Sequence, residues 1–367
     1  MKLSCSQNDL SSALSVVNRA VSQNNTLPVL NNILLRAEKG RLSLSSTNLE
    51  IAINATIEAN IKTEGSITVP AKTINSYVPL LKDESVGLSL KGETTLEIES
   101  LGSDTKMKGI PSEEFPSLPK IEGAQSFFLP AAALKDAIEQ VAFSASTNIS
   151  RPVLTGVLWK IDGDKMRLVA TDSYRLSEKT LVFEKDTGVK MEMIVPSRTT
   201  QELAKILAGS EEKELEVLAS KNQVMFKIGG IEVISRLIDG NYPDYEKILP
   251  ESSKVVANLK ADDFALALKK VLVIVKENNN SVRIRVSGDK LMILSDETQV
   301  GEGNVELALG SKSGEAEVAL NAQYLVDVLG HIGGAEVNFG LNDGLSPVMV
   351  VPATSEDYVH IIMPLKI

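Results

Sequence analysis

The sequence predicts an α+β protein of three repeated domains, each carrying two helices packed on antiparallel sheet, and two observations carry that expectation. Short motifs return in the same order about every 125 residues, and each returned segment alternates helical with strand periodicity in the same way. Size agrees, because 367 residues exceed what one hydrophobic core usually supports.

Pro28-Val29-Leu30 recurs as Pro152-Val153-Leu154, 124 residues on, and that offset also carries Thr47-Asn48 onto Thr171-Asp172. A second series is Val69-Pro70-Ala71-Lys72, Val195-Pro196-Ser197-Arg198 and Leu320-Asn321-Ala322-Gln323. Gly163-Asp164-Lys165 returns as Gly288-Asp289-Lys290, and Phe115-Pro116 with Ile121 as Tyr242-Pro243 with Ile248. The period is too long for a solenoid, whose repeats run roughly 20–50 residues. Each unit must be a domain with its own core. Polar, proline-bearing stretches near 119–125 and 250–254 divide the chain into 1–122, 123–251 and 252–367.

Each domain opens on a short strand (Lys2–Cys5, Phe127–Leu129, Val256–Leu259) that leads into an amphipathic helix at about 8–22, 131–144 and 261–275. Leu10, Ala13, Leu14, Val17 and Val21 keep the i, i+3, i+4, i+7 spacing of one apolar face. Asp9, Asp136 and the pair Asp262-Asp263 fall in first turns, where the helix dipole favours acid. Alternating strands follow, at Arg41–Ser45, Arg167–Ala170 and Val282–Val286. A second helix begins after the Val-Pro signal, at about 71–81, 197–208 and 321–331, with Pro79 ending the first of these early.

Composition excludes much. The only cysteine, Cys5, rules out an internal disulfide and suits a reducing compartment. The N-terminus turns polar too early for a signal peptide and no run of 18 apolar residues occurs, so cytoplasmic residence is expected. His331 and His360 with one cysteine leave little catalytic or metal-ligating material, and no phosphate loop or nucleophile elbow is present. No cofactor and no enzymatic activity are expected. Gly301-Glu302-Gly303 reads as a turn, and Asp172 with Arg175 as an ion pair rather than catalytic machinery. Asn24-Asn25-Thr26 fits a glycosylation pattern that carries no meaning in the cytosol.

The net charge of −10 argues against DNA binding by bulk attraction, since phosphate-binding proteins are usually basic. Yet the six predicted helices carry seven basic and seven acidic residues, so the excess acid sits on strands and loops. Were two chains to place twelve helices side by side at roughly 10 Å spacing, the ring would enclose a hole of about 28 Å. That admits a duplex with a layer of water; three domains alone leave almost no hole.

Thr171-Asp172-Ser173-Tyr174-Arg175-Leu176, Asp239-Gly240-Asn241-Tyr242-Pro243-Asp244-Tyr245 and the terminal Ile362–Ile367 resemble the beta subunit of bacterial DNA polymerase III, the sliding clamp. The resemblance spans Leu3 to Ile367 and takes motifs from all three repeats in order. It implies the DNA clamp fold: a head-to-tail homodimer, with helices inside and sheets outside, that encircles double-stranded DNA. It implies as partners the polymerase III alpha subunit, the clamp loader, and other polymerases and repair proteins, all docking through short apolar motifs. The partner cleft would be formed by Leu154, Thr171, Ser173, Tyr174, Arg175, Leu176, Pro243, Lys247, Ile248, Ser346, Ile361, Ile362, Met363, Pro364 and Leu365. Met363 would adapt its shape where several partners share one site. From the residues alone, Ile361-Ile362-Met363 also fits an ordinary final strand.

The resemblance further implies a dimer contact between edge strands, with Thr105, Lys106 and Met107 against Val273 and Ile274, although the latter pair also fits a continuing amphipathic helix. It implies DNA-facing positions at Lys72, Asn148, Arg151 and Arg198. The chain departs from the family pattern at Asn24 and Asn25, at Pro152 and Val153 on a DNA-contacting loop, and at Ser173 and Tyr174 in the cleft. The competing reading is a three-repeat protein-binding scaffold without nucleic acid, which the acidic charge favours.

Overall fold

The computed structural model describes residues 1–21, 27–82, 84–119, 121–333 and 335–365; Asn24, Asn25, Lys366 and Ile367 lie outside the described residues. The first repeat opens with β1 (Lys2–Ser6) and α1 (Gln7–Val17), followed by β2 (Asn32–Glu38), β3 (Arg41–Thr47) and β4 (Ile51–Glu58). It continues through β5 (Asn60–Thr63), β6 (Gly65–Pro70), α2 (Ala71–Tyr77), β7 (Ser85–Lys91), β8 (Thr95–Ser100) and β9 (Ser103–Lys108). The second holds β10 (Gln125–Pro130), α3 (Ala131–Val141), β11 (Gly156–Asp162), β12 (Lys165–Thr171) and β13 (Arg175–Val182). Then come β14 (Lys190–Pro196), α4 (Ser197–Ala208), β15 (Glu214–Ala219), β16 (Gln223–Ile228) and β17 (Ile231–Arg236). The third holds β18 (Val255–Lys260), α5 (Ala261–Val275), β19 (Ser281–Leu294), β20 (Asn304–Asn321), α6 (Ala322–His331), β21 (Glu336–Leu341), β22 (Val348–Pro352) and β23 (Tyr358–Ile362).

All six helices expected from the sequence are present. The Ser6 side chain caps α1 by accepting from the Asp9 N–H, and Leu10, Ala13, Leu14 and Val17 are buried. The first helix is shorter than its apolar spacing suggests, however. Asn18–Ala20 tightens into a 3-10 turn, and Val21, extended and half-buried, is no part of the helical stripe. Likewise α2 stops at Tyr77 and Val78–Leu80 forms a 3-10 turn around Pro79, whose ring and missing N–H block another α turn. The Asn321 side chain caps α6 by accepting from the Gln323 N–H.

The described residues form two compact units, and these follow the sheets rather than the repeats. The first unit comprises residues 1–132 and 205–237; the second comprises 133–204 and 238–367. Within the first lie a five-stranded sheet, ordered β5-β1-β7-β8-β9, and an eight-stranded sheet, ordered β10-β15-β16-β17-β4-β3-β2-β6. Within the second lie an eight-stranded sheet, ordered β18-β21-β22-β23-β13-β12-β11-β14, and the long β19–β20 ribbon. Strands of neighbouring repeats pair directly, β17 with β4 and β13 with β23, so a sheet is continuous where the sequence changes repeat. The third repeat runs two long strands where the second runs four, with register shifts at Gly288. Gly288 has φ +61° and its counterpart Gly163 has φ +63°, a left-handed turn conformation that glycine adopts without steric cost. Gly301-Glu302-Gly303 closes a loop, as expected: Thr298 and Gly301 exchange backbone hydrogen bonds.

Candidate partner-binding cleft

The cleft grows from one pairing in the second unit. In the β13–β23 ladder Leu176 stands opposite Ile361, and Arg175 opposite Ile362. Side chains alternate faces along a strand, so these two pairs must part company. Leu176 and Ile361 join Leu158, Val169, Ile194 and Tyr245 in a buried cluster on one face. Val153, Tyr242, Met349 and Val359 lie half-buried against that cluster and give it an apolar rim.

On the opposite face Arg175 is held by two carboxylates. Its Nη1 lies 2.5 Å from Asp327 of α6 and its Nε 3.1 Å from Asp172. The guanidinium also stacks 4.5 Å from the Tyr324 ring centroid and 5.5 Å from that of Phe143. The expected Asp172–Arg175 ion pair is therefore present, with Asp327 as an additional partner. Farther along this face Ser177 Oγ meets His360 Nδ1 at 2.7 Å. Burial, helped by the nearby Arg175 charge, pushes His360 down to about 3, so the imidazole is neutral.

The turn that links β12 to β13 sets what the rim presents. Thr171 Oγ1 donates to the Arg175 carbonyl and accepts from the Ser173 N–H, while Asp172 Oδ1 accepts from the Tyr174 and Arg175 N–H groups. Ser173 takes φ +80°, and Tyr174 is left 62% exposed. The Met363 N–H donates to the Tyr174 carbonyl at 2.8 Å, and the Leu365 N–H to the Ala319 carbonyl at 2.8 Å. These bonds fasten the C-terminal segment beside the turn, with Met363, Pro364 and Leu365 half-buried.

The fifteen sequence-derived cleft positions thus fall into two groups. Ser173, Tyr174, Pro243, Lys247 and Ile248 are exposed, and Ser346, Met363, Pro364 and Leu365 are partly so. Leu154, Thr171, Leu176, Ile361 and Ile362 are buried, and the Arg175 side chain is nearly so. Lys247 pairs with Asp244 at 2.6 Å, and Ser346 donates its N–H to Asp343 Oδ1 at 2.6 Å. Sequence reasoning missed Leu158, Val169, Ile194, Met349 and Val359. Strand alternation carries the signal for them, but only once the strand order is known. Val153, in the loop that the resemblance places near DNA, packs against the cleft cluster.

Lys72 on α2, Arg198 on α4, and Asn148 and Arg151 in the loop after α3 are all exposed. Arg151 Nη1 donates to Ser173 Oγ at 3.0 Å, tying that loop to the cleft turn. Thr105, Lys106 and Met107 lie on β9, the end strand of the five-stranded sheet; Met107 is buried and Tyr77 Oη contacts Thr105 Oγ1 at 2.7 Å. The expectation of an edge strand at Val273 and Ile274 is corrected: both lie in α5. Helical spacing of Phe264, Ala267, Leu268, Val271 and Val275 keeps that segment wound against its own core and leaves Val273 75% exposed. No group of His, Cys, Asp or Glu able to hold a metal occurs among the described residues.

Three family models tile the chain: the N-terminal, central and C-terminal domains of the DNA polymerase III beta subunit match residues 1–119, 128–244 and 246–366. The chain belongs to the DNA polymerase III beta-subunit family. The sliding clamp of a Synechocystis strain is 30% identical over 100% of both chains. That of Staphylococcus epidermidis is 29% identical, over 95% of this chain and 94% of its own. Among solved structures, the Thermotoga maritima beta subunit superposes with TM-score 0.94 at 25% identity, over 100% of this chain and 99% of its own. The Pseudomonas aeruginosa sliding clamp bound to griselimycin gives 0.93 at 27%, over 100% of both. The beta-subunit fold thus accounts for all three repeats, and the family is one of processivity clamps.

Proposed function

We propose that this chain is the non-catalytic processivity subunit of a DNA polymerase III holoenzyme: two copies close head to tail into a ring around duplex DNA. A polymerase alpha subunit, the clamp loader and other DNA-processing proteins would dock through short apolar motifs on the Tyr174–Met363 cleft. The carrying observation is the duplicated module, whose two eight-stranded sheets share one strand order and continue across repeats. A third such junction would need a second chain: β9 is an end strand of the five-stranded sheet, and the β19–β20 ribbon forms a sheet of its own. The exposed Lys106 and Lys108 on β9 would meet the exposed Glu302 of the partner copy, and the exposed Val273 and Val300 would supply the apolar centre.

Enclosure also reconciles a net charge of −10 with a role on DNA, since a closed ring is held by topology and needs few phosphate contacts. Exposed Lys72 and Arg198, with Asn148 and Arg151, would face the duplex. The deciding experiment loads the protein with a clamp loader on nicked circular DNA and then linearises the circle. Retention on the circle with loss from the linear form is expected. Equal retention on both would favour a protein-binding scaffold over a ring.

A further inference from the structure

We propose that the first unit carries a second peptide-docking groove, beside the strap formed by residues 115–119, and that it takes an extended segment pairing a bulky apolar side chain with a lysine or arginine. The groove is a structural twin of the Tyr174 cleft. Its sheet has the same strand order, with β4, β3, β2 and β6 standing where the cleft has β13, β12, β11 and β14. Even the cleft turn is repeated atom for atom. Thr47 Oγ1 donates to the Ile51 carbonyl and accepts from the Leu49 N–H, while Asn48 Oδ1 accepts from the Glu50 and Ile51 N–H groups. Leu49 takes φ +76°, as Ser173 takes +80°, and the Arg236 N–H donates to the Glu50 carbonyl at 3.0 Å, as Met363 does to Tyr174.

Two hollows flank the strap, of about 720 and 190 Å³, and both are lined by Leu118, Pro119 and Ile234. The apolar floor continues into Leu34 and Phe115, which share a cluster with Val29 and Leu30. Leu49, at the smaller hollow, is 50% exposed. A leucine in a left-handed turn with half its surface in water is an unusual choice, and an apolar partner side chain would cover it.

The side chains that differ from the cleft define the occupant. Strand register puts Ser45 where the cleft has Val169, Ala52 where it has Leu176, and Glu232 where it has Val359. The groove is therefore more polar, and its lining carries Glu38, Glu50, Glu113 and Glu232 against Arg36 and Arg236. Over the two hollows carboxylates outnumber guanidiniums four to two, which favours a basic segment over an acidic one. The inference rests on the duplicated turn and the lining charges, independently of what binds at Tyr174.

The test uses the full chain and a fluorescein-labelled decapeptide of alternating lysine and leucine, with alternating glutamate and leucine as the comparison, read by fluorescence anisotropy. Saturable binding of the lysine peptide is expected. It should weaken at least tenfold in Leu49→Asp and in the double variant Glu50→Lys/Glu232→Lys, the latter gaining the glutamate peptide. Tyr174→Ala should leave it within twofold. No saturable binding, binding indifferent to both groove variants, or binding lost in Tyr174→Ala would each overturn the proposal. Should Leu49→Asp fail to fold, the charge-reversed pair decides, because both glutamates reach solvent and their exchange of peptide preference reads docking rather than folding.

Discussion

His360 shows how a single side chain is set by its surroundings. It is bonded to Ser177 and stacked 5.7 Å from Phe143; burial and the nearby Arg175 charge push it down to about 3, from an ordinary 6.5. Between those values the unfolded chain binds the extra proton, so stability falls as pH falls, by up to about 1.4 kcal/mol per pH unit. Replacing it by His360→Gln should flatten the difference between denaturant midpoints at pH 6.5 and 5. An equal acid sensitivity in the two proteins would place the effect elsewhere. Arg175 makes the complementary point. Its Asp172 partner was legible from a spacing of three residues, but Asp327 lies 152 residues away and no local pattern announces it.

At the scale of elements, apolar period and the Val-Pro signal located the six helices, while Pro79 stops α2 early. α5 bears most directly on assembly. Its buried stripe is internal and leaves Val273 exposed, at the dimer contact proposed above. Val273→Asp is expected to convert dimers to monomers, because a carboxylate buried without a partner costs about 2 kcal/mol or more; sedimentation at micromolar concentration reads the outcome. The same logic applies at the C-terminus. Deleting residues 363–367 removes the Met363–Tyr174 and Leu365–Ala319 bonds that fasten the rim. Partner-peptide binding should drop at least tenfold while the dimer persists, and undiminished affinity would show that the cleft lies elsewhere.

The whole molecule is organised by sheets that ignore repeat boundaries. β17–β4 and β13–β23 pairing makes each repeat depend on its neighbour, so isolated repeats are expected to unfold or aggregate through unpaired strand edges. Expressing residues 123–251 alone tests this: a cooperative thermal transition at the temperature of the full chain would contradict it. The two junctions also carry the same turn with different side chains, which turns one architecture into two chemically distinct surfaces.

The amino-acid sequence alone determined the threefold repeat, the six helices and where they start, and the family. All of these depend on local periodicity, or on motifs a few residues long. Only the tertiary structure decided that Leu176 and Ile361 face the cleft while Arg175 and Ile362 face the helices, and that Val153 packs against the cleft cluster. It also put Val273 and Ile274 on a helix instead of an edge strand. The physical reason is that a strand's two faces are equivalent until its neighbours are fixed. Which strand lies beside which is set by contacts more than a hundred residues apart.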